Sequence, residues 1–101
     1  MKNIILVCCA GMSTSILVKK MREVAKEVGK EVNIKAMPES ELANYKDEIN
    51  CILIGPQIGY MEDDIKSKYP NIPIEVINSV DYGTIDGKKV LKRAYKMMKE
   101  G

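Results

Sequence analysis

The stretch Asn3-Ile-Ile-Leu-Val-Cys-Cys-Ala-Gly-Met-Ser-Thr-Ser15 sets two patterns end to end. Asn3 to Val7 is a short apolar run rich in β-branched residues, as expected of a strand covered on both faces. From Ser13 the period changes. Leu17, Met21, Val24, Ala25 and Val28 recur at helical spacing, with Lys19, Lys20, Arg22, Glu23, Lys26 and Glu27 on the other side. Ser13 or Thr14 can cap that helix and Gly29 can end it. Between strand and helix lies a small polar loop with two cysteines, a glycine and no cationic side chain.

The same alternation continues along the chain. Val32 to Met37 reads as a second strand closed by Pro38, and Pro38 to Asn50 has room for one short helix, with Ser40 and Glu41 as capping residues. Cys51 to Ile54 is a third buried strand, ended by Gly55-Pro56. Ile58, Met61, Ile65 and Tyr69 mark a helix that Pro70 terminates, and Pro73 to Ile77 is the fourth strand. A last helix begins near Asp86 and Gly87 and turns Val90, Leu91, Ala94, Met97 and Met98 inward. Strands alternating with helices give an α/β fold, a four-stranded parallel sheet with helices on both faces. Right-handed crossovers lead to the order 2-1-3-4, a doubly wound, flavodoxin-like arrangement. Ligands of such sheets bind beyond the carboxyl ends of the strands, where the order switches. In this order that place follows the first strand, at Cys8 to Ser15.

Totals narrow the function. The 101 residues suit a single domain spanning 1–101, with 46% apolar and 30% charged residues and a formal charge of +2. That balance lacks a nucleic-acid footprint, and five tyrosines without Phe or Trp make a poor base-stacking surface. Three cysteines, Cys8, Cys9 and Cys51, form no spaced framework, and with no histidine a zinc site is not expected. No run approaches the ~20 apolar residues of a membrane span, and no signal peptide is visible, so a reducing cytoplasm is the expected location.

The loop from Cys8 to Ser15 joins the carboxyl end of a strand to the first turn of a helix, where backbone N–H groups are unpaired and the dipole is positive. Gly11 lets the chain curl without a Cβ in the way, and Ser13, Thr14 and Ser15 bring hydroxyls to the same volume. Such a nest suits a dianionic phosphoryl group. Cys8 ends the strand with its sulfur able to face the nest, in a field that favours the nucleophilic thiolate. Cys9 points elsewhere and contributes its amide, as do Ala10, Gly11 and Met12. Both thiols as small core residues is the plainer alternative. GxxxxGK[ST] and GxGxxG are absent. In the cysteine phosphatase loop a five-residue curl separates cysteine from arginine; here Cys9 to Ser13 form the curl, Thr14 holds the arginine position and Ser15 supplies the hydroxyl. Without a guanidinium to clamp the transition state, attack by water on a thiophosphate is slow, and the intermediate persists until an acceptor arrives.

At this point the chain resembles the enzyme IIB component of the lactose/chitobiose/cellobiose class of bacterial sugar phosphotransferase systems. The resemblance runs nearly end to end: the Ile4–Val7 strand, Cys8-Cys-Ala-Gly-Met-Ser-Thr-Ser15, Gly55-Pro-Gln-Ile58 with Tyr60-Met61, Pro73-Ile-Glu-Val-Ile77, Tyr82-Gly83 and Asp86-Gly87. It implies a phosphorelay without cofactor or metal. A phosphohistidine on the IIA protein donates to Cys8, and the phosphocysteine passes the group to a sugar, typically a β-linked disaccharide, held by the membrane-embedded IIC permease. The family pattern has a small non-thiol residue where Cys9 stands.

Other residues keep two readings each. Gln57, Tyr60 and Tyr82 follow strands 3 and 4 and border the site; Tyr82 covers the phosphoryl group, contacts IIA, or packs as an ordinary half-buried tyrosine. Met12 is a docking residue at the loop tip or packs beneath it. Asp81 and Asp86 serve as base for the second transfer or as turn and cap residues. Cys51 is structural. Lys88, Lys89, Lys92, Arg93, Lys96 and Lys99 on the last helix read as a solvated face. The competing functions are a cysteine-dependent low-molecular-weight phosphatase or arsenate-reductase-like enzyme, and a binding or redox module using the vicinal thiols.

Overall fold

The computed structural model describes residues 1–8 and 12–99. Strands β1 (Lys2–Val7), β2 (Val32–Met37), β3 (Cys51–Ile54) and β4 (Ile74–Val76) form one parallel sheet in the order β2-β1-β3-β4. Ile4 pairs with Ile34 on one side and Cys51 on the other, and Ile52 pairs with Ile74. The expected topology is the one observed.

Alternation along β1 explains why it lies at the centre. Ile4 and Leu6 face one core cluster with Ile34, Cys51 and Leu53, while Ile5 and Val7 face a second with Ile52, Ile54 and Ile74. The first cluster is covered by α1 (Met12–Glu27) and by the last helix. The second is covered by two 3-10 segments (Glu39–Asn44 and Pro56–Met61) and by α2 (Glu62–Lys68). A strand buried on both faces has no polar positions to spare, hence the unbroken apolar run.

Helix α1 ends as its sequence indicates. Gly29 takes φ +73, the Lys30 amide donates to the Ala25 carbonyl at 2.9 Å and the Gly29 amide to the Lys26 carbonyl at 3.2 Å. This is a Schellman closure, which needs a left-handed residue at that point. Val28 lies beyond the last turn and is 56% exposed, so it leaves the buried stripe to which its spacing had assigned it. The helix also starts earlier than expected. Ser13 and Thr14 fall inside its first turn, so neither is the cap.

Three further differences have local causes. Pro38 precedes a 3-10 segment with no side-chain cap, so Ser40 and Glu41 do not play that part. In place of the expected single helix after β3 stand a 3-10 segment, itself kinked at Ile58 (φ −120, ψ 29), and then α2 from Glu62. A short helix that the apolar pattern did not show, α3 (Ser79–Gly83), stands between β4 and α4 (Gly87–Met97). Asn78 creates it by accepting hydrogen bonds from the amides of Val80 (2.9 Å) and Asp81 (3.2 Å). Ile85 at φ 54 then turns the chain, with the Asp86 amide donating to the Asp81 carbonyl at 2.9 Å. Gly87 rests against α1, where a Cβ would lie 2.8 Å from the Lys20 Cβ and 2.9 Å from the Met21 nitrogen.

Candidate functional site

Cys8 closes β1 at the carboxyl end of the sheet. Its amide donates to the Met37 carbonyl at 3.2 Å, and next door the Gly55 amide donates to the Val7 carbonyl at 2.8 Å. Cys8 therefore lies between the ends of β2 and β3, where the strand order reverses. It is 5% exposed. Among the described residues it is the one buried apolar side chain that joins neither core cluster.

Gly55 makes that position possible. A Cβ there would come within 3.3 Å of the Cys8 Cβ and 3.2 Å of Gln57 Oε1. Its backbone is ordinary (φ −60), so the requirement is one of space. The same contacts place the Gln57 side chain over the Cys8 end of the sheet. Gly55, which its sequence marks only as a strand end, is thus a wall of the site. Tyr60 is 83% exposed on the 3-10 segment that follows.

Helix α1 begins four residues after Cys8, and the amides of its first turn have no partner within the helix. Ser13 and Ser15 lie exposed in that turn. Thr14 does not join them. It is 2% exposed, and its hydroxyl shares a 2.6 Å hydrogen bond with the Tyr82 phenol, itself buried on α3. The position equivalent to a phosphatase arginine is therefore turned inward and tied to a partner. Cys9, Ala10 and Gly11, with the anion nest expected of them, lie outside the described residues, as does the side chain of Met12.

The two acids divide differently. Asp86 caps α4, accepting from the Lys89 amide at 3.1 Å. Asp81 lines a cleft beside α4 with Lys89 and Arg93. Cys51 is fully buried in β3, and desolvation, followed by the nearby Glu75 carboxylate, pushes its thiol up to about 12. It is inert at neutral pH. Asn78 and α3, which position Tyr82, were the elements sequence reading missed; the signal was Asn78-Ser-Val-Asp81, a capping pattern without apolar periodicity.

Sheet order, the thiol at the switch point and the helix that opens after it define a doubly wound α/β protein with a cysteine between the end of its first strand and a helix N-terminus. Residues 3–93 match the family described as "PTS system, Lactose/Cellobiose specific IIB subunit". The chain belongs to that family, whose members are sugar-specific, phosphotransferase-type components working with IIA and IIC partners. It is 38% identical to the oligo-beta-mannoside-specific EIIB component of Bacillus subtilis, with 97% of each chain covered. It is 36% identical to the cellobiose-specific EIIB component of Lactococcus lactis subsp. lactis, with 96% of each covered. The solution structure of the cellobiose-specific phosphotransferase IIB component from Borrelia burgdorferi superposes with a TM-score of 0.81 at 39% identity, covering 97% of this chain and 92% of that one. Among the described residues no helix is long and apolar enough to cross a membrane.

Proposed function

We propose that the chain is a single-domain cytoplasmic phosphoryl carrier that accepts the group from a IIA phosphohistidine on Cys8 and delivers it to a sugar held by the IIC permease. The observation that carries this reading is the place of Cys8: at the switch point, outside both core clusters, four residues before the first turn of α1. In the first transfer the Cys8 thiolate attacks phosphorus in line; an S–P bond forms, the P–N bond breaks, and the imidazole departs with a proton. Main-chain N–H groups from the loop and from the first turn of α1 receive the charge, with Ser13 and Ser15 beside them. In the second transfer a sugar hydroxyl attacks, the S–P bond breaks, thiolate returns, and the hydroxyl proton passes to a base on the IIC side. Both steps balance without a cofactor.

Thr14 supports carrier over phosphatase chemistry. Its hydroxyl is bonded to Tyr82, and no cation occupies that position, so nothing there strengthens attack by water. Relatives of nearly equal similarity are named for different sugars, oligo-beta-mannoside and galactose at 38% identity and cellobiose at 36%. This fits a sugar chosen by the permease instead of by this domain.

Incubation with phosphoenolpyruvate, the general phosphotransferase proteins and the cognate IIA tests the assignment by phosphopeptide mapping. Label is expected on Cys8, absent in Cys8→Ser and retained in Cys9→Ser and Cys51→Ser. Label that persists unchanged in Cys8→Ser would refute it. Multiple-turnover hydrolysis of p-nitrophenyl phosphate that depends on Cys8 would favour the phosphatase reading.

A further inference from the structure

Charge in this chain is segregated. Residues 87–99 hold six of the sixteen lysines and arginines and no acid, leaving ten cations against fourteen acids elsewhere. Helix α4 with its end is thus +6 on a remainder of −4. The structure turns this from a composition into a surface. Lys89, Lys92, Arg93 and Lys96 line a cleft of about 360 Å³ between α4 and β4. Lys88, Lys92 and Lys96, with Lys30, rim a second of about 460 Å³ between α4 and the end of α1. Lys92 and Lys96 belong to both, so they form the ridge between two clefts. Of the α4 cations only Arg93 has an ion-pair partner among the described residues, Glu75 at 2.6 Å. The floor of the second cleft is apolar, made by Val24, Leu91 and Tyr95, with Val28 standing 56% exposed at its edge.

We infer that the α4 face is a peripheral docking surface for an anionic lipid bilayer, which holds the protein at the membrane by charge. Three features select lipid over an acidic protein. The helix's own residues carry one sign, and the acids that face it, Glu75 (paired with Arg93), Asp81 and the cap Asp86, lie on its first cleft and at its start, leaving Lys92 and Lys96 on the ridge with no ion-pair partner among the described residues. Five of the six cations are lysine, a residue depleted from protein interfaces, where arginine is enriched. Clustered lysines on one helical face, next to exposed aliphatic surface, are what a negative headgroup layer attracts. The solvated face suggested by the net balance is therefore a directed one. α1 and α4 cover the same face of the sheet, so contact through α4 leaves the Cys8 end of β1 at the side of the molecule, open to a protein in the same membrane.

Co-sedimentation of the full chain with vesicles tests this, using phosphatidylglycerol mixed into phosphatidylcholine against phosphatidylcholine alone. Binding to the anionic vesicles only, weakening as salt is raised, is expected. Each basic residue at such a surface strengthens partitioning about fivefold, so Lys92→Gln with Lys96→Gln lowers it roughly thirtyfold. Lys35→Gln with Lys46→Gln removes the same charge away from α4 and leaves partitioning within about twofold of the parent, as expected of charges beyond a Debye length. All four lysines are exposed, so folding is not at stake. No binding to anionic vesicles at low salt would overturn the inference. So would equal loss in both double variants, or equally tight binding to duplex DNA. Cys8→Ser sediments like the parent, which keeps this test separate from the relay.

Discussion

The Thr14 hydroxyl and the Tyr82 phenol meet at 2.6 Å across a separation of 68 residues, and both are buried. Their bond fastens the first turn of α1, which opens behind Cys8, to the short helix α3 that follows β4. Removing one partner strands the other without solvent. Tyr82→Phe or Thr14→Val is expected to cost about 1–3 kcal/mol by urea unfolding. The double variant should cost less than the sum, since no polar group is then left unpaired. Additive losses would show that the two hydroxyls are not coupled. Tyr82→Phe should also slow phosphoryl acceptance while Cys8 stays labelled, because the turn behind it has lost its tether.

Cys51 ties stability to alkaline pH. Its thiol is held protonated in the folded state to about 12, whereas in the unfolded chain it ionises near its ordinary value of 9.0. Between those values the unfolded state has released a proton that the folded state keeps, so stability is complete below about pH 9 and falls as pH rises. The expected slope from this residue is about 1.4 kcal/mol per pH unit. Cys51→Ala, although less stable at neutral pH, should lack that component when unfolding curves are compared from neutral to alkaline pH. Identical slopes for parent and variant would contradict the assignment.

Three glycine-to-alanine changes separate space from conformation. Gly87→Ala drives a methyl into α1 backbone at 2.9 Å, which cannot yield, and should cost about 1–3 kcal/mol in thermal or urea unfolding. Gly83→Ala meets nothing within 4 Å and lies in a helix, so it should be neutral or stabilising by about 0.5–1 kcal/mol. Gly55→Ala, pressed against Cys8 and Gln57, should alter the rate of phosphoryl acceptance more than the unfolding midpoint. The reverse order of the first two would be incompatible with the observed contact between α1 and α4.

Asn78 caps the N-terminus of α3 through its contacts to the Val80 and Asp81 amides. Asn78→Ala should lower stability by about 1 kcal/mol. Hydrogen exchange should quicken at Val80 to Tyr82 before it does in β1 or β3, because a helix of five residues has little to hold it once its cap is gone. Unchanged exchange there would mean that Tyr82 packing alone sustains the helix.

Most of the architecture could be read locally. The runs at 3–7, 32–37 and 51–54 are continuous or alternating apolar segments of strand length, and the observed strands coincide with them to within one residue. Gly29 announced the end of α1, and Asp86 the start of α4. Where reading failed, the determinant was either a polar cap or a partner far away. α3 has no apolar period and exists because Asn78 satisfies its first amides. Val28 kept its helical spacing but lay past the turn that ends the helix. Thr14, grouped with Ser13 and Ser15 as a hydroxyl for an anion, faces inward because α3 supplies Tyr82 to meet it.

By itself the sequence determined the doubly wound parallel sheet and the position of Cys8 at its switch point. Those follow from side-chain period and connection length, which are properties of neighbours along the chain. Only the tertiary structure decided that Thr14 bonds to Tyr82, that Gly55 walls the cysteine, and that five cations of α4 line two adjoining clefts. Each of these depends on which helix face meets which strand end, a relation between distant residues that no local pattern of hydrophobicity encodes.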